Sequence, residues 1–459
     1  MRVLLIKPFS WNSAKGLGFP LSLGYLASTL QAVGEEVKVL DLQIAEREDY
    51  DGALFRALNE FSPELVGITC NSHERFYSFD AARKIKQWQD VPVVMGGPHV
   101  TFTAEETLHY IKEIDFVVLH EGEDTLVELT QALKSDQALA DVKGLVYRKN
   151  GEVQRTALRS FIEDLDRLPP PARELFEVDK YDLYLPILDR PKAMHLLSSR
   201  GCPFSCGFCS AKEMAGKRIR FSSPESVINE LKLIKTFYPQ YKWLFFYDDH
   251  FTLIKSRVIK ICEGMIKNKF NFNWGCYGRV DSIDEELVDI MKEAGCRMIS
   301  FGVESGSDEV LKLMHKSINT KMIERAITIV KQKGLVARSS FIFGYPGERF
   351  RDFLKTIQLC RRLGLDADEI IWNFNPVIYP ATQLFKEMKE LKYIPEDFNW
   401  CQRFNLKNYK DVPVFIKTDS KLKEIIARGY KKFFVEQEDI PLYISSSQYL
   451  MKRFMDLKW

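Results

Sequence analysis

The chain has 459 residues, of which 46% are hydrophobic and 28% are charged, and its formal net charge is +2. This length allows two or three domains with sizeable cores, and the nearly balanced charge gives no electrostatic basis for binding nucleic acid. The opening MRVLLIKPFS is too short and too soon charged for a signal peptide, no apolar run approaches the about 18 residues of a transmembrane helix, and nine cysteines in so long a chain do not indicate a disulfide framework. We therefore predict no transmembrane segment and a cytoplasmic location.

Residues 2–134 alternate short apolar runs with amphipathic segments. The runs are RVLLIKP, EVKVLDL, LVGITC, VPVVMGG and DFVVLHEG. Between them lie helical patterns such as PLSLGYLASTLQAVG, which begins after Pro20 and ends at Gly34. Five strand–helix units predict an open, doubly wound parallel sheet, and ligands of such sheets lie beyond the carboxyl ends of the strands. Those ends carry small or polar residues, and the candidates are Leu21, Ser22, Thr69, Asn71, Gly96, Gly97, Glu121, Gly122 and Glu123.

A connecting segment follows, for which we predict the bounds 141–190. GLVYRKNGEVQRT is typical of a hairpin that turns at Asn150-Gly151, and RLPPPARELF is typical of a stiff extended connector. We therefore predict a first domain over residues 1–140 and a second that begins at residue 191.

The stretch CPFSCGFC places three cysteines, Cys202, Cys206 and Cys209, within eight residues. Disulfides cannot use three cysteines of one short loop, and no distant CxxC or HxxxH offers the second half of a zinc site. A cubane iron–sulfur cluster takes one thiolate per iron, so three thiolates would leave one iron open to another ligand. A metal or cluster site is the prediction, and a set of free thiols in a loop is the alternative.

Six strand–helix units surround this loop over residues 191–390. Their strands are AMHLLSSR, KWLFFYDDHF, FNWGCYGRVD, RMISFGVESGS, ARSSFIFGYPGE and EIIWNFNPVIYP. Successive units of this kind predict a parallel, partly closed α/β barrel, in which sites lie at the carboxyl ends of the strands. The cysteines follow the first of these strands. Residues 391–459 are predicted to form a small helical C-terminal domain on the substrate side, with core packing as the ordinary role of its aromatic residues.

CPFSCGFC resembles the CxxxCxxC signature of radical S-adenosylmethionine (SAM) enzymes, and Phe208 matches the aromatic position of that signature. The resemblance implies a [4Fe–4S] cluster held by the three cysteines. It also implies that the open iron binds the amino and carboxylate groups of SAM, and that an electron donor of the flavodoxin or ferredoxin type is needed to cleave SAM to a 5′-deoxyadenosyl radical.

Three further strand ends resemble the SAM-binding motifs of that family. FYDDHF offers Asp248 or Asp249 near the SAM amino group, GVESGS offers Glu304 for the ribose, and SSFIFGYPGE offers Ser340 and Gly344 beside the adenine. The structural alternatives are a turn cap for the aspartates, a buried carboxylate for the glutamate and a simple turn for the glycine. His250 and Arg338 are weaker candidates for a proton or carboxylate partner.

The arrangement PLSLGYLA … GGPHVTF … EGEDT upstream of CxxxCxxC resembles the cobalamin-binding half of cobalamin-dependent radical SAM enzymes. The resemblance implies cobalamin at the strand ends of the first domain. The DxHxxG motif is missing, which excludes cobalt ligation by a histidine of that motif. His73, His99 and His120 lie at strand ends and fit surface or capping roles better than a ligand role. A sheet that holds no cofactor is the open alternative.

Both resemblances together imply the fold class and the function. The fold class is α/β: an N-terminal doubly wound, cobalamin-binding Rossmann-like sheet, a partial (β/α)6 radical SAM barrel and a small helical C-terminal domain. The implied enzyme is a methyltransferase that acts on an unactivated carbon of a small-molecule or lipid substrate, with a hydrogen atom removed by the 5′-deoxyadenosyl radical and the methyl group delivered from cobalamin. A radical cyclisation or rearrangement without methyl transfer is the first alternative, and a non-enzymatic cobalamin or cluster sensor is the second.

Overall fold

A computed structural model describes residues 1–9, 20–46, 49–135, 137–181, 192–374, 376–392, 394 and 396–402. Most of the predicted C-terminal helical domain lies outside the described residues, as do residues 182–190 of the predicted connection and residue 191. The structure shows two α/β units, each built on one sheet whose apolar strands are covered by amphipathic helices.

The first unit is a seven-stranded sheet with the strand order β2-β1-β3-β4-β5-β6-β7. The strands are β1 (Arg2–Lys7), β2 (Glu36–Asp41), β3 (Leu65–Thr69), β4 (Val93–Gly96), β5 (Phe116–Val118), β6 (Leu145–Lys149) and β7 (Glu152–Arg155). β1 to β5 pair in parallel, which confirms the predicted doubly wound sheet. The four apolar residues of β1, Val3 to Ile6, are at most 1% exposed because helices cover both faces of the strand.

Five helices alternate with these strands. They are α1 (Leu21–Ala32), α2 (Tyr50–Phe61), α3 (Arg75–Trp88), α4 (Pro98–Tyr110) and α5 (Glu123–Ser135). α1 begins directly after Pro20, and the chain leaves it through Gly34, whose φ is +85°. β1 lies between β2 and β3, so the chain reverses direction across the sheet at this strand. This reversal opens a crevice at the carboxyl ends of the strands, which is the usual ligand position in such folds.

The predicted hairpin is present and extends the first sheet. β6 and β7 pair antiparallel, and β6 also pairs antiparallel with β5. Asn150 and Gly151 form the turn with φ angles of 53° and 84°, as a two-residue turn with both φ values positive requires.

The second unit is a parallel sheet of six strands in chain order, and it confirms the partial barrel. The strands are β8 (Ala193–Leu196), β11 (Trp243–Phe246), β12 (Asn273–Gly278), β13 (Cys296–Glu304), β14 (Val336–Phe343) and β15 (Ile370–Phe374). The helices are α6 (Ala211–Ala215), α7 (Pro224–Phe237), α8 (Lys255–Lys267), α9 (Glu285–Glu293), α10 (Asp308–Leu313), α11 (Thr320–Gln332), α12 (Phe350–Arg362) and α13 (Gln383–Glu390). A two-stranded ribbon of β9 (Ser199–Arg200) and β10 (Arg220–Phe221) flanks the cysteine loop. Within the described residues, no helix is long and apolar enough to cross a membrane.

Candidate functional site

The carboxyl ends of both sheets open into one cavity of about 610 Å³. Strand ends of the first unit form one wall, and the opposite wall comes from the barrel, where it includes Tyr247, Asp249 and Gly201. The wall formed by the first unit also includes apolar residues such as Leu5, so part of this wall is hydrophobic. A single cavity therefore connects the crevice of the doubly wound sheet with the mouth of the barrel.

The sheet wall contains every residue that the sequence predicts for cobalamin. These are Leu21, Ser22, Thr69, Asn71, Gly96, Gly97, Glu121, Gly122 and Glu123. β3 and β4 bring two of their strand ends together, because Thr69 is paired with Gly96 in the parallel register. The individual roles of these residues toward cobalamin stay predictions.

The glycine pair at the end of β4 has two different structural reasons. Gly97 has a φ of +103°, and a Cβ there would lie 2.8 Å from the carbonyl oxygen of Cys70, so the turn itself requires glycine. At Gly96 the nearest atom to a Cβ would be the carbonyl oxygen of Val118 at 3.8 Å, which is ordinary contact. Gly96 is therefore the position at which a side chain can be added to the cavity wall without disturbing the turn.

Glu121 and Glu123 line the cavity, but their carboxylates hold the two units together. Glu121 accepts hydrogen bonds from Arg220 at 2.7 and 2.8 Å and pairs with Arg200 at 3.3 Å, and Glu123 accepts from Arg200 at 2.6 Å. Both arginines come from the ribbon beside the cysteine loop. The backbone around Gly122, rather than the two acidic side chains, is therefore the part of EGEDT that is open to a ligand.

The three candidate histidines occupy different surroundings. His73 shares a hydrogen bond with the Tyr379 hydroxyl at 2.9 Å, and His99 is buried with Nδ1 3.0 Å from the Ser72 hydroxyl. Of the three, only His120 lines the cavity. Its Nδ1 lies 3.1 Å from the carbonyl oxygen of Met214, so Nδ1 is the donor of this contact, and the neutral ring has its lone pair on Nε2.

The cysteine loop lies at the barrel mouth and follows β8 and the short strand β9. Cys202 is 7% exposed, and its Sγ lies 3.3 Å from Nε2 of His250. The Cys209 amide donates to the Cys206 carbonyl at 3.1 Å, which closes a tight turn between these two cysteines. Gly201 has a φ of +101°, and a Cβ there would lie 2.5 Å from the Arg218 carbonyl oxygen, so the chain can enter the loop only through glycine.

The three thiols suit a multi-iron cluster better than a single ion. In the part of the chain that the structure describes, no group of three His, Cys, Asp or Glu converges as a single-ion site requires. Desolvation raises the pKa of the buried Cys202 thiol to about 11, so a metal that binds this sulfur has to displace its proton. A cubane separates its thiolates by placing each on a different iron, which matches a donor set spread along a loop.

Asp248 and Asp249 have different surroundings, and only Asp249 lines the cavity. Asp248 is completely buried, where it accepts from the backbone N–H of Ser198 at 3.1 Å and from the Ser198 and Ser199 hydroxyls. Asp249 has no hydrogen-bond partner among the described residues. Desolvation and the neighbouring Asp248 raise the pKa of Asp249 to about 6. Asp249 is therefore the better candidate for the SAM amino group, and Asp248 holds the chain after β8.

Glu304 ends β13 with a φ of +66° and is buried next to a lysine that sequence reasoning missed. Lys316 Nζ lies 3.0 Å from Glu304 Oε1, and the Ser340 hydroxyl lies 3.5 Å from Oε2. The structure thus brings Glu304 and Ser340 together, and their contacts to SAM stay predictions. Lys316 Nζ also lies 5.7 Å from the ring centroid of Phe208, in the cysteine loop, so one cation connects the loop with β13.

Phe208 and Gly344 lie on the α13 side of the barrel mouth. Phe208 packs against a cluster that includes Tyr345, with ring centroids 6.5 Å apart. The Gly344 amide donates to the buried carboxylate of Glu348 at 2.5 Å, and burial raises the pKa of this carboxyl to about 8. Neither residue lines the large cavity, and their contacts to SAM stay predictions.

Sequence reasoning also missed the residues that join the halves of the site. Arg200 and Arg220 carry no motif, and only their ion pairs with EGEDT reveal their role. Tyr247 precedes the aspartate pair at the end of an apolar strand, and this position gives no sequence signal of a functional role. A lone Lys316 after α10 has no sequence signal that distinguishes it from a surface lysine.

A doubly wound sheet and a partial barrel that share one cavity, with three cysteines at the barrel mouth, define a radical SAM enzyme with a second, cofactor-binding domain. The family model of the radical SAM superfamily matches residues 196–360, and the B12-binding domain matches residues 11–130. An uncharacterised methyltransferase of Pyrococcus horikoshii is 33% identical over 440 residues, which cover 95% of this chain and 93% of that protein. The chain therefore belongs to the radical SAM enzymes that carry a B12-binding domain.

Two further proteins place this family membership in context. The anaerobic magnesium-protoporphyrin IX monomethyl ester cyclase of Rubrivivax gelatinosus is 27% identical, with 95% of this chain and 78% of that protein covered. The structure of the radical SAM methyltransferase TsrM from Kitasatospora setae, with cobalamin and a [4Fe–4S] cluster bound, superposes with a TM-score of 0.72 at 20% identity and covers 85% of this chain and 75% of that one. This last likeness confirms the fold class.

The residues present fit the cofactors that the two domains imply. The radical SAM domain implies a [4Fe–4S] cluster and SAM, and the B12-binding domain implies cobalamin. Three thiols on one loop suit three irons, and Asp249 and Glu304 offer acceptors for an ammonium group and for hydroxyls. Gly96 and Gly97 line the cavity at the end of β4, where the B12-binding domain would hold cobalamin. The predicted class of enzyme and its three cofactors are thereby confirmed.

Proposed function

We propose that this enzyme transfers a methyl group to an unactivated carbon of a small-molecule or lipid substrate. The observation that carries the proposal is the single cavity, because its walls come from the B12-binding sheet and from the mouth of the radical SAM barrel. A methyl carrier and a radical source bound to these walls would face a common space. The name of the Pyrococcus horikoshii relative supports the same reaction class.

The side chains that line the cavity and those buried at the ends of the barrel strands differ in their chemistry. When bound, the cluster and SAM supply a 5′-deoxyadenosyl radical and cobalamin supplies the methyl group. Asp249 offers a carboxylate to an ammonium group, and Glu304 accepts hydrogen bonds from hydroxyls. Leu5, Val94 and Val118 give the sheet wall an apolar lining that excludes water, which protects a reactive intermediate from side reactions.

Ring formation or rearrangement without methyl transfer is the second candidate, and the cyclase relative favours it. The two reactions differ in product mass. We would incubate the anaerobically reconstituted enzyme with a reductant, SAM that carries a deuterated methyl group, and a fractionated cell extract, and analyse the products by mass spectrometry. Methyl transfer adds one labelled methyl group to the acceptor. A product that has lost hydrogen and carries no label would establish the second candidate instead.

The substrate, the electron donor and the location stay part of the proposal. Reductive cleavage of SAM needs an electron, and we propose a flavodoxin- or ferredoxin-type donor, to be tested by replacing the chemical reductant with each protein. All nine cysteines are free thiols in the structure, which supports a reducing compartment such as the cytoplasm.

A further inference from the structure

One level of the barrel lumen carries polar side chains that the cofactor sites do not use. The strand register aligns Tyr277 of β12 with Ser300 of β13, and Ser300 with Arg338 of β14. Alternate residues of a strand face the same side, so Arg338 shares its side of β14 with Ser340, which reaches Glu304. Arg338 lies two residues before Ser340, toward the amino end of the strand. It is therefore deeper in the barrel than the predicted ribose contact.

Arg338 is a largely enclosed cation without a protein counter-ion. It has no ion pair and no hydrogen bond among the described residues, and its Nε is buried without a partner. Desolvation lowers the pKa of Arg338, and the groups that counteract this effect are the phenols of Tyr277 and Tyr247, not a carboxylate. An arginine keeps its proton even so. Because an enclosed, unpaired charge is costly, the energetic balance of this position favours binding of an anion.

Two tyrosines complete the set of donors. The rings of Tyr247 and Tyr277 lie 5.8 Å apart, and both pack on Phe245 with ring centroids 5.0 Å away. Desolvation by the surrounding side chains raises the pKa of both phenols, so they remain neutral hydroxyl donors at physiological pH. Tyr247 lines the large cavity and is 37% exposed, whereas Arg338 and Tyr277 lie outside the cavity lining, so Tyr247 is the member of the group that faces the space where the reaction would occur.

We propose that Arg338, Tyr247 and Tyr277 bind an oxyanion of the substrate, a carboxylate or a phosphate, and that the methyl acceptor is therefore an anionic molecule anchored inside the barrel. A guanidinium forms paired, charge-assisted hydrogen bonds with either group, and two phenols add neutral donors. The inference rests on the proposed function, because it names the substrate class of that reaction. The carboxylate of SAM shares this chemistry, so the test must separate it from a substrate anion.

The first experiment measures anion binding without catalysis. Inorganic phosphate and acetate are titrated by calorimetry, at low ionic strength, into reconstituted holoenzyme saturated with SAM. Arg338→Gln is compared with Arg297→Gln, which removes an exposed arginine of β13 that bonds only to backbone carbonyls among the described residues. We expect Arg338→Gln to weaken the better-bound anion about 10- to 100-fold and Arg297→Gln to leave it unchanged. Tyr277→Phe keeps the ring and should weaken binding about 2- to 10-fold.

The second experiment identifies the anion in the acceptor. Anion-exchange fractions of the extract are assayed for labelled methyl transfer before and after phosphatase treatment or esterification of carboxylates. Loss of methyl acceptance after one treatment assigns a phosphate or a carboxylate, and acceptors confined to uncharged fractions would overturn the proposal. So would anion binding that survives Arg338→Gln, or a tenfold loss of SAM affinity in this variant, since the latter would assign Arg338 to the SAM carboxylate. If no fraction is methylated although the anion binds through Arg338, the proposed function fails and the oxyanion site stands.

Discussion

The buried pair of Glu304 and Lys316 allows the structural and ligand-binding roles of one carboxylate to be separated. Glu304→Gln removes the charge of the carboxylate, Lys316→Met removes that of the lysine, and the double variant removes both. The two side chains are 8% and 9% exposed. A single substitution therefore leaves an enclosed charge without its partner, whereas the double substitution leaves none.

The geometry sets the size of the effect. At an N–O distance of 3.0 Å and an effective dielectric constant of about 20, the attraction is about 5.5 kcal/mol, most of which offsets the desolvation of the two ions. Each single variant should lose about 3–5 kcal/mol of unfolding free energy. The double variant should recover most of this loss, because both the attraction and the desolvation cost disappear together.

SAM affinity should behave differently from stability if Glu304 contacts the ribose. We expect Glu304→Gln and the double variant both to bind SAM about 10- to 100-fold more weakly, the worth of charge-assisted hydrogen bonds. Stability is measured by urea unfolding and affinity by equilibrium dialysis of labelled SAM with the reconstituted protein. A double variant that recovers stability and also binds SAM as tightly as the wild type would refute the ribose contact.

Three other measurements test the remainder of the site. Cys206→Ala should lose cluster absorbance and 5′-deoxyadenosine formation under anaerobic reconstitution, and full iron content in this variant would contradict the cluster assignment. Gly96→Trp should reduce cobalamin retention while the cluster absorbance persists. Gly97→Trp should also lower stability, because position 97 has a positive φ that a tryptophan rarely adopts. If Gly96→Trp retains as much cobalamin as the wild type, β4 is not part of the cobalamin site. SAM affinity should fall below pH 6, because Asp249, whose pKa is about 6, then becomes protonated and no longer accepts from an ammonium group. Asp249→Asn should bind SAM weakly at every pH. If Asp249→Asn has the same pH profile of SAM affinity as the wild type, another residue contacts the ammonium group.

The ligation of cobalt can be tested on the retained cobalamin itself. We predict from the missing DxHxxG motif that no protein nitrogen binds the cobalt. His120 is the histidine to examine first, because it lines the cavity with its Nε2 lone pair uncommitted. Electron paramagnetic resonance of the Co(II) form should show no nitrogen superhyperfine coupling from the protein. A coupling that disappears in His120→Ala but persists in His73→Ala would contradict the prediction.

Local sequence signals predict both sheets because each strand–helix unit has its own apolar period and its own stop. Helix α1 starts after Pro20 and the chain turns at Gly34 as read from the sequence, and the hairpin turns at Asn150. The three thiols were found because their spacing is local. In each case the residues that decide the feature are close together in the chain.

The parts that escaped prediction depend on contacts between distant segments. Glu121 and Glu123 look like cavity ligands in EGEDT, yet arginines about 80 to 100 positions away neutralise them. Gly96 and Gly97 look equivalent in sequence. The structure shows that only Gly97 has a positive φ, so only this position requires glycine for its turn. Asp248 and Asp249 are adjacent and chemically identical, and the fold alone decides which of them is buried.

The same arginines join the two sheets around one cavity. Arg220 is 4% exposed and donates at once to Glu121 of the first unit, to the Ile162 carbonyl at 2.8 Å and to the Ala215 carbonyl at 2.7 Å. Ala215 ends α6, directly after the cysteine loop, and also lines the cavity. Because one guanidinium bonds to Glu121 of the first unit, to the Ile162 carbonyl and to the end of the helix that follows the cysteine loop, it helps to fix the position of this loop relative to the first sheet. A reaction that needs two cofactors at one carbon depends on such fixed spacing, since a misplacement of about 1 Å can cost about a hundredfold in rate.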